Sequence, residues 1–170
     1  MVESGVNCPV TSSCGRLFDA VSALVGIRLK VNYEAQAAIE LEMSIDHEAQ
    51  PGSYPFDLKR DCEMRVIDSR RAFESMLMDV DVPTSVVSQR FHNGLIDVFT
   101  QLAQLLRSET SLERVCLSGG SFHNAYLLTH LHRRLQRSGF EVFTHRDVPA
   151  GDGGLSLGQA MIAAHRVRNQ

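Results

Sequence analysis

Residues 115–124, VCLSGGSFHN, constrain what this chain can fold into more than any other stretch. Val115, Cys116, Leu117 and Ser118 have strand character and run straight into Gly119-Gly120. A helical pattern then opens, with Phe122, Leu127, Leu128, Leu131 and Leu135 near helical spacing. A strand that turns through two glycines into a helix exposes bare backbone to a ligand, because no Cβ stands in the way. The start of the helix adds unbonded N–H groups and a partial positive charge, which favour a phosphate or carboxylate. Asn124 falls in the first turn, where its amide would reach the same ligand. The plain alternative is a tight strand–helix turn that binds nothing.

A second stretch of the same kind is PAGDGGLSLGQA, residues 149–160. Asp152 precedes Gly153-Gly154, and Leu155, Leu157, Ala160, Met161 and Ala164 read as a helix that Asp152 would cap. The two turns are separated by one helix and one strand, which places them near each other at one end of a sheet. Ligands of open α/β sheets sit at the carboxyl ends of the strands. Two converging turns therefore define a pocket better than either alone.

A chain of 170 residues makes one domain, or one lobe of a larger one, and needs no disulfide or metal to fold. Its net charge of -3 leaves no electrostatic footprint for nucleic acid. Arg133, Arg134 and Arg137 read as a solvated helix face. Cys8, Cys14, Cys62 and Cys116 have no CxxC spacing, so no zinc knuckle or dithiol redox site is indicated. The first ten residues lack the apolar core of a signal peptide, and no apolar run approaches 18 residues. Unpaired cysteines without an export signal predict a reducing, cytoplasmic setting and no membrane partner.

In chain order, Thr11-Ser12-Ser13 offers caps for a helix over residues 15–24, stopped at Gly26. Asp19 on it reads as a surface carboxylate. Residues 33–47 read as a second helix, with Glu34, Glu40, Glu42 and Glu48 as solvent-facing charge. Residues 54–68 are strand-like around a polar turn, Lys59-Arg60-Asp61. A helix over 70–78 follows, then one opened by Pro83 and running to Leu106. His92 within it reads as a hydrogen-bonded structural residue, and His130 and His132 as surface. The remaining elements are strands over 114–118 and 140–144, a helix over 121–137 and a last helix over 154–168. No HxxH or HxxxH pair is present, so no helical histidine metal site is expected.

Several stretches taken together, TSSCGRLFDAVSALVG, YEAQAAIELE, YPFDL, RFHN, LSGGSFHN and DGGLSLGQA, resemble in order the C-terminal part of the HypF carbamoyltransferases that mature nickel–iron hydrogenases. That region is similar to TsaD-like tRNA threonylcarbamoyl transferases and to O-carbamoyltransferases. The resemblance implies an α/β fold: the second ribonuclease-H-like lobe of an actin-like, sugar-kinase-like (ASKHA) pair, with a helical insertion. On that basis the chain is one domain, with residues 11–110 the mostly helical insertion and 111–170 the α/β nucleotide-site core.

The resemblance also implies roles. Asp19, with Gly15 beside it, binds the nucleotide ribose; Gly119, Gly120 and Asn124 line the nucleotide site; Glu34 borders it; and Asp152 is a metal ligand. The implied ligands are ATP or carbamoyl adenylate and a divalent metal (iron, zinc or magnesium) shared with a missing first lobe. The implied partners are the remaining HypF domains and HypE, whose C-terminal cysteine accepts the carbamoyl group. No catalytic residue of this chain is expected, and alone it is expected to be inactive. The alternative is a non-catalytic nucleotide-binding or interaction module that docks on a separate first lobe, or self-associates through its exposed inter-lobe face. A tRNA-modifying role comes third, against the absence of a basic patch. The family usually has glycine at the position of Ala35 and asparagine at that of Gly151.

Overall fold

The computed structural model describes residues 4–49 and 52–168. Its scaffold is α4 (Thr84–Thr110), a 27-residue helix roughly 40 Å long at 1.5 Å per residue. Val87, Phe91, Leu95 and Val98 are all buried on it at spacings of four, four and three, the period of one helix face. Three groups of elements pack around that helix. α1 (Cys14–Leu24) and α2 (Gln36–Met43) contribute Phe18, Val21 and Leu41. A hairpin, β1 (Asp57–Asp61) with β2 (Met64–Asp68), and α3 (Arg70–Met78) add Phe56, Ala72 and Met76. α5 (Ala125–Arg137) packs Leu127, Leu131 and Leu135 on the other side. The Phe18 and Phe91 rings meet edge to face with centroids 5.1 Å apart, which joins α1 to α4.

The second sheet consists of β3 (Arg114–Leu117) and β4 (Glu141–Thr144), parallel and in register from Arg114↔Glu141 to Leu117↔Thr144. α5 is the crossover between them. Parallel strands are ordinarily covered on both faces by helices. Here Phe143 is half-exposed. α6 (Leu155–Arg168), which follows β4, has no buried residue although it carries Leu155, Leu157, Met161, Ile162 and Val167.

Several boundaries differ from the sequence expectation, each for a local reason. The hairpin turns at Cys62-Glu63 and not at Lys59-Arg60-Asp61, because the register pairs Asp61 with Met64 and Cys62 takes the left-handed conformation at φ 51°. The second helix is shorter than 33–47: Ala35 is left-handed at φ 61°, so helical dihedrals begin only at Gln36. Pro83 flanks α4 and does not start it, and the helix continues to Thr110, closed by left-handed Ser111 whose N–H bonds Arg107 O. Ser13 flanks α1 without a side-chain cap; its own N–H is bonded to Thr11 Oγ1. The expected helix over 121–137 is split into a 3₁₀ turn (Gly120–His123) and α5, with extended Asn124 between them. Asp152 opens a second 3₁₀ turn (Asp152–Gly154) three residues ahead of α6 and does not cap that helix.

Candidate functional site

Because β3 and β4 are parallel, the turn after one and the loop after the other leave the sheet at the same end. They touch: the Gly119 N–H donates to Ala150 O at 2.9 Å. Gly119 sits at φ 107°, ψ 160°, a region that only glycine occupies without strain. Gly151 packs so closely that a Cβ there would stand 2.8 Å from His123 Nε2. This contact joins the two glycine-rich segments.

In front of them is a cleft of about 530 Å³, lined by four segments. The start of α1 gives Ser13, Gly15, Arg16, Phe18 and Asp19. The approach to α2 and its first turns give Glu34, Ala35, Ala38, Ile39 and Glu42. The turn after β3 gives Gly120, Ser121, His123 and Asn124, and the loop after β4 gives Gly151 and Asp152. Gly15, Asp19, Glu34, Gly120, Asn124 and Asp152, drawn from positions up to 137 residues apart, therefore share one cavity; Gly119 supports it from behind. A depression of about 560 Å³ beside Arg60, Arg65 and Glu109 has no glycine turn at its border.

The polar groups of the cleft are specific in what they still offer. Asp19 is 2.8 Å from Arg16 Nη2, which leaves its second oxygen to a ligand. Glu42 Oε1 accepts the Tyr126 N–H at 2.9 Å. Asn124 Oδ1 accepts the Leu127 N–H at 2.7 Å, and its Nδ2 donates to His92 Nε2 at 2.8 Å. Both ends of the Asn124 amide are thus engaged within the protein, and two first-turn N–H groups of α5 are taken. Asn124 borders the cleft with one amide hydrogen and one oxygen lone pair already used within the protein. The N–H groups of Gly120 and Ser121, first residues of their own turn, have no intrahelical acceptor there.

The expectation that Glu40 and Glu42 are merely solvated also fails. Glu40 is held by Arg28 at 2.5 Å and by Gln36 at 3.0 Å, and both bonds hold its carboxyl below the usual range. Glu42 was legible in a different way: Ala38 and Glu42 lie at i and i+4 on one face of α2, and both border the cleft with Glu34, which precedes the helix. Cys14 lies beside the same turn. Burial pushes its thiol up, and a hydrogen bond with Ser121 only partly opposes this, so it is not a ready nucleophile. Cys8, Cys14, Cys62 and Cys116 are all free thiols.

A divalent cation is a hard acid that Asp152 suits by its oxygen donor. Among the described residues no group of three or more His, Cys, Asp or Glu side chains is placed to hold a metal ion. Asp152 stands alone at the border of the cleft. No helix of the described residues is long and apolar enough to cross a membrane.

The fold defines an α/β protein with a cleft at the carboxyl ends of its parallel strands. Comparison with known proteins makes the class specific. The family model described as "Carbamoyltransferase, Kae1-like Domain, second subdomain" matches residues 1–159. Carbamoyltransferase HypF of Synechocystis sp. is 33% identical over 153 residues, covering 90% of this chain and 19% of its own length. That of Rhodobacter capsulatus is 36% identical over 170 residues, covering 99% of this chain and 22% of its own length. A crystal structure of full-length HypF in the phosphate- and nucleotide-bound form superposes with a TM-score of 0.84 at 43% identity, over 89% of this chain and 20% of that one. The structure of T. kodakarensis HypF shares the fold, with a TM-score of 0.77 at 24% identity over 93% of this chain and 20% of that one.

The chain belongs to the HypF carbamoyltransferase family, in the second subdomain of the Kae1-like domain. It spans about a fifth of the length of the first two relatives.

Proposed function

We propose that the cleft grips the nucleotide end of ATP or carbamoyl adenylate within a HypF-type carbamoyltransferase whose site is completed by a first ribonuclease-H-like lobe. The observation that carries this reading is the convergence of the two glycine-rich segments with Asp19 and Asp152 in one cavity. Asp19 would accept from ribose hydroxyls, and the N–H groups of Gly120 and Ser121 would donate to phosphate oxygens. Arg16 would offset part of the carboxylate charge that faces the nucleotide. Asp152 would contribute one oxygen to a divalent cation; when bound, that ion would neutralise charge on the phosphate.

In this reading the acceptor is the C-terminal cysteine thiolate of a HypE-type protein. Its sulfur attacks the carbamoyl carbon, the bond from that carbon to the phosphate oxygen breaks, and AMP departs with the electron pair. This chain positions the adenylate and supplies backbone donors; the nucleophile comes from the partner, which agrees with a half-buried Cys14 whose thiol pKa is pushed up by burial. The exposed apolar side of α6 and the half-covered β3–β4 sheet support docking onto the rest of such an enzyme. Four free cysteines suit a reducing cytoplasm.

Calorimetric titration of AMP and ATP with magnesium tests the reading, on this chain alone and with the other segments of a full-length relative added in trans. Binding that Asp19→Ala weakens at least fivefold supports it. Failure to bind in both settings overturns it.

A further inference from the structure

The RFHN segment, residues 90–93, lies in the middle of α4 and outside the cleft lining, yet each of its side chains is committed. Arg90 Nη1 bonds Asp79 Oδ2 at 2.6 Å, and Phe91 is fully buried. Asn93 Nδ2 donates to Gly52 O at 2.8 Å, while its Oδ1 accepts from the Tyr126 hydroxyl at 2.9 Å. His92 is fully buried and has both ring nitrogens in use.

The roles in that last group follow from valence alone. Ser88 Oγ donates to Leu41 O at 2.5 Å, and Ser88 O lies 2.8 Å from His92 Nδ1. A carbonyl only accepts, so Nδ1 carries the proton and Nε2 presents a lone pair. The atom of Asn124 facing Nε2 at 2.8 Å must then be its NH₂ group, which turns Oδ1 towards the Leu127 N–H. An asparagine amide has two orientations of similar shape; His92 selects one of them.

We propose that His92 is a positioning residue for the cleft: by fixing the amide of Asn124 it sets where the 3₁₀ turn ends and α5 begins, and so where the Gly120 and Ser121 N–H groups point. The chain of bonds runs from α2 through α4 to the turn, and ties the helical part of the molecule to the wall of the cavity. An aliphatic residue at position 92 would fill the core but leave Ser88 O and the Asn124 NH₂ group without their partner. A buried histidine retained with both nitrogens satisfied therefore specifies orientation as well as packing. The link to nucleotide binding rests on the function proposed above; the link to turn geometry does not.

The test uses His92→Phe, His92→Gln and Asn124→Ser, with Val98→Ala as a control that loses core packing away from the turn. Gln at 92 keeps an acceptor for Asn124. Ser at 124 keeps the cap for Leu127 but drops the bond to His92. Nitrogen NMR reads the ring tautomer, amide exchange reads the turn, and AMP titration reads the cleft. The expected results are a wild-type ring protonated on Nδ1, and exchange at Phe122 and Asn124, whose N–H groups bond Gly119 O and Ser121 O, at least tenfold faster in His92→Phe and Asn124→Ser than in the control at matched global stability. His92→Gln should restore slow exchange. AMP affinity should fall at least fivefold in the first two variants and recover in the third. A ring protonated on Nε2, or turn exchange no faster than in the control, overturns the proposal. If His92→Phe does not fold, Asn124→Ser decides by itself. A wild-type chain that never binds AMP counts against the nucleotide reading, while tautomer and exchange still judge His92.

Discussion

Glu42 Oε1 accepts the Tyr126 N–H at 2.9 Å, so a carboxylate from α2 sits at the positive end of α5, 84 positions further along the chain. Together with Asn124 on the Leu127 N–H, it satisfies the second and third residues of that helix. Replacing Glu42 with Ala leaves the Tyr126 N–H without its acceptor and should cost about 1–2 kcal/mol of unfolding free energy in urea titration. Glu42→Gln keeps an oxygen acceptor and loses only the charge–dipole attraction, about 0.3–1 kcal/mol. Equal losses for the two variants would show that the hydrogen bond contributes nothing beyond charge.

Ala35 enters α2 in the left-handed conformation at φ 61°, where a Cβ crowds the backbone. Glycine removes that strain, worth roughly 1–2 kcal/mol. It also gains freedom in the unfolded chain, which offsets part of the benefit. Ala35→Gly should therefore stabilise the protein by about 0.5–1 kcal/mol, a rise of about 2 °C in Tm for a domain of this size. A fall in Tm on calorimetry would contradict this.

The His92 ring titrates at about 4 in the folded protein because burial disfavours its charged form, against about 6.5 when unfolded. Below pH 6.5 the unfolded chain binds a proton that the folded chain refuses, so stability falls as pH drops from 6.5 towards 4. The loss should reach about 3 kcal/mol at pH 4. His130, lowered in the same direction by burial and Arg133, contributes in the same window. Comparing wild type with His92→Gln isolates the first contribution: the variant's stability should change less between pH 7 and 4 in denaturant titrations at each pH.

Gly119→Ala places a Cβ on a residue at φ 107°, ψ 160°. The strain should cost about 1–3 kcal/mol of stability. It should also weaken AMP binding more than Ala35→Gly does, because the Gly119 N–H holds the two turns together through Ala150 O. Calorimetric titration of both variants checks the order.

α6 leaves Met161 64% and Ile162 57% exposed, beside Leu155 and Leu157. A helix with no buried residue gains nothing from tertiary packing to offset its ordering. Without the other parts of a HypF enzyme, this chain should self-associate as concentration rises. Met161→Lys with Ile162→Lys should hold it monomeric in sedimentation velocity, with AMP affinity unchanged.

Much of the architecture was legible from the residues. The β3–Gly-Gly turn, the amphipathic stripe of α4 through Val87, Phe91, Leu95 and Val98, and α3 at 70–78 all follow from local period and breakers, because hydrophobic spacing and glycine act within a few residues. Boundaries set by left-handed residues without a glycine, such as Ala35, Cys62 and Ser111, gave no such signal. Asp19 by itself looked like any surface carboxylate. The resemblance of its segment to a known family, not its spacing, singled it out.

From the sequence alone, then, came two glycine-rich turns able to meet at strand ends, a long core helix and the family. Tertiary structure alone decided which polar groups remain free to meet a ligand. Glu42, expected in solvent, caps α5; Asn124, expected to line the nucleotide site, borders the cleft with its amide also held by His92 and the Leu127 N–H. The reason is the range of the interactions involved. Helix and strand periods are written in neighbouring residues, whereas hydrogen-bond satisfaction in a cleft depends on partners 32 to 84 positions away, brought within 3 Å only by packing.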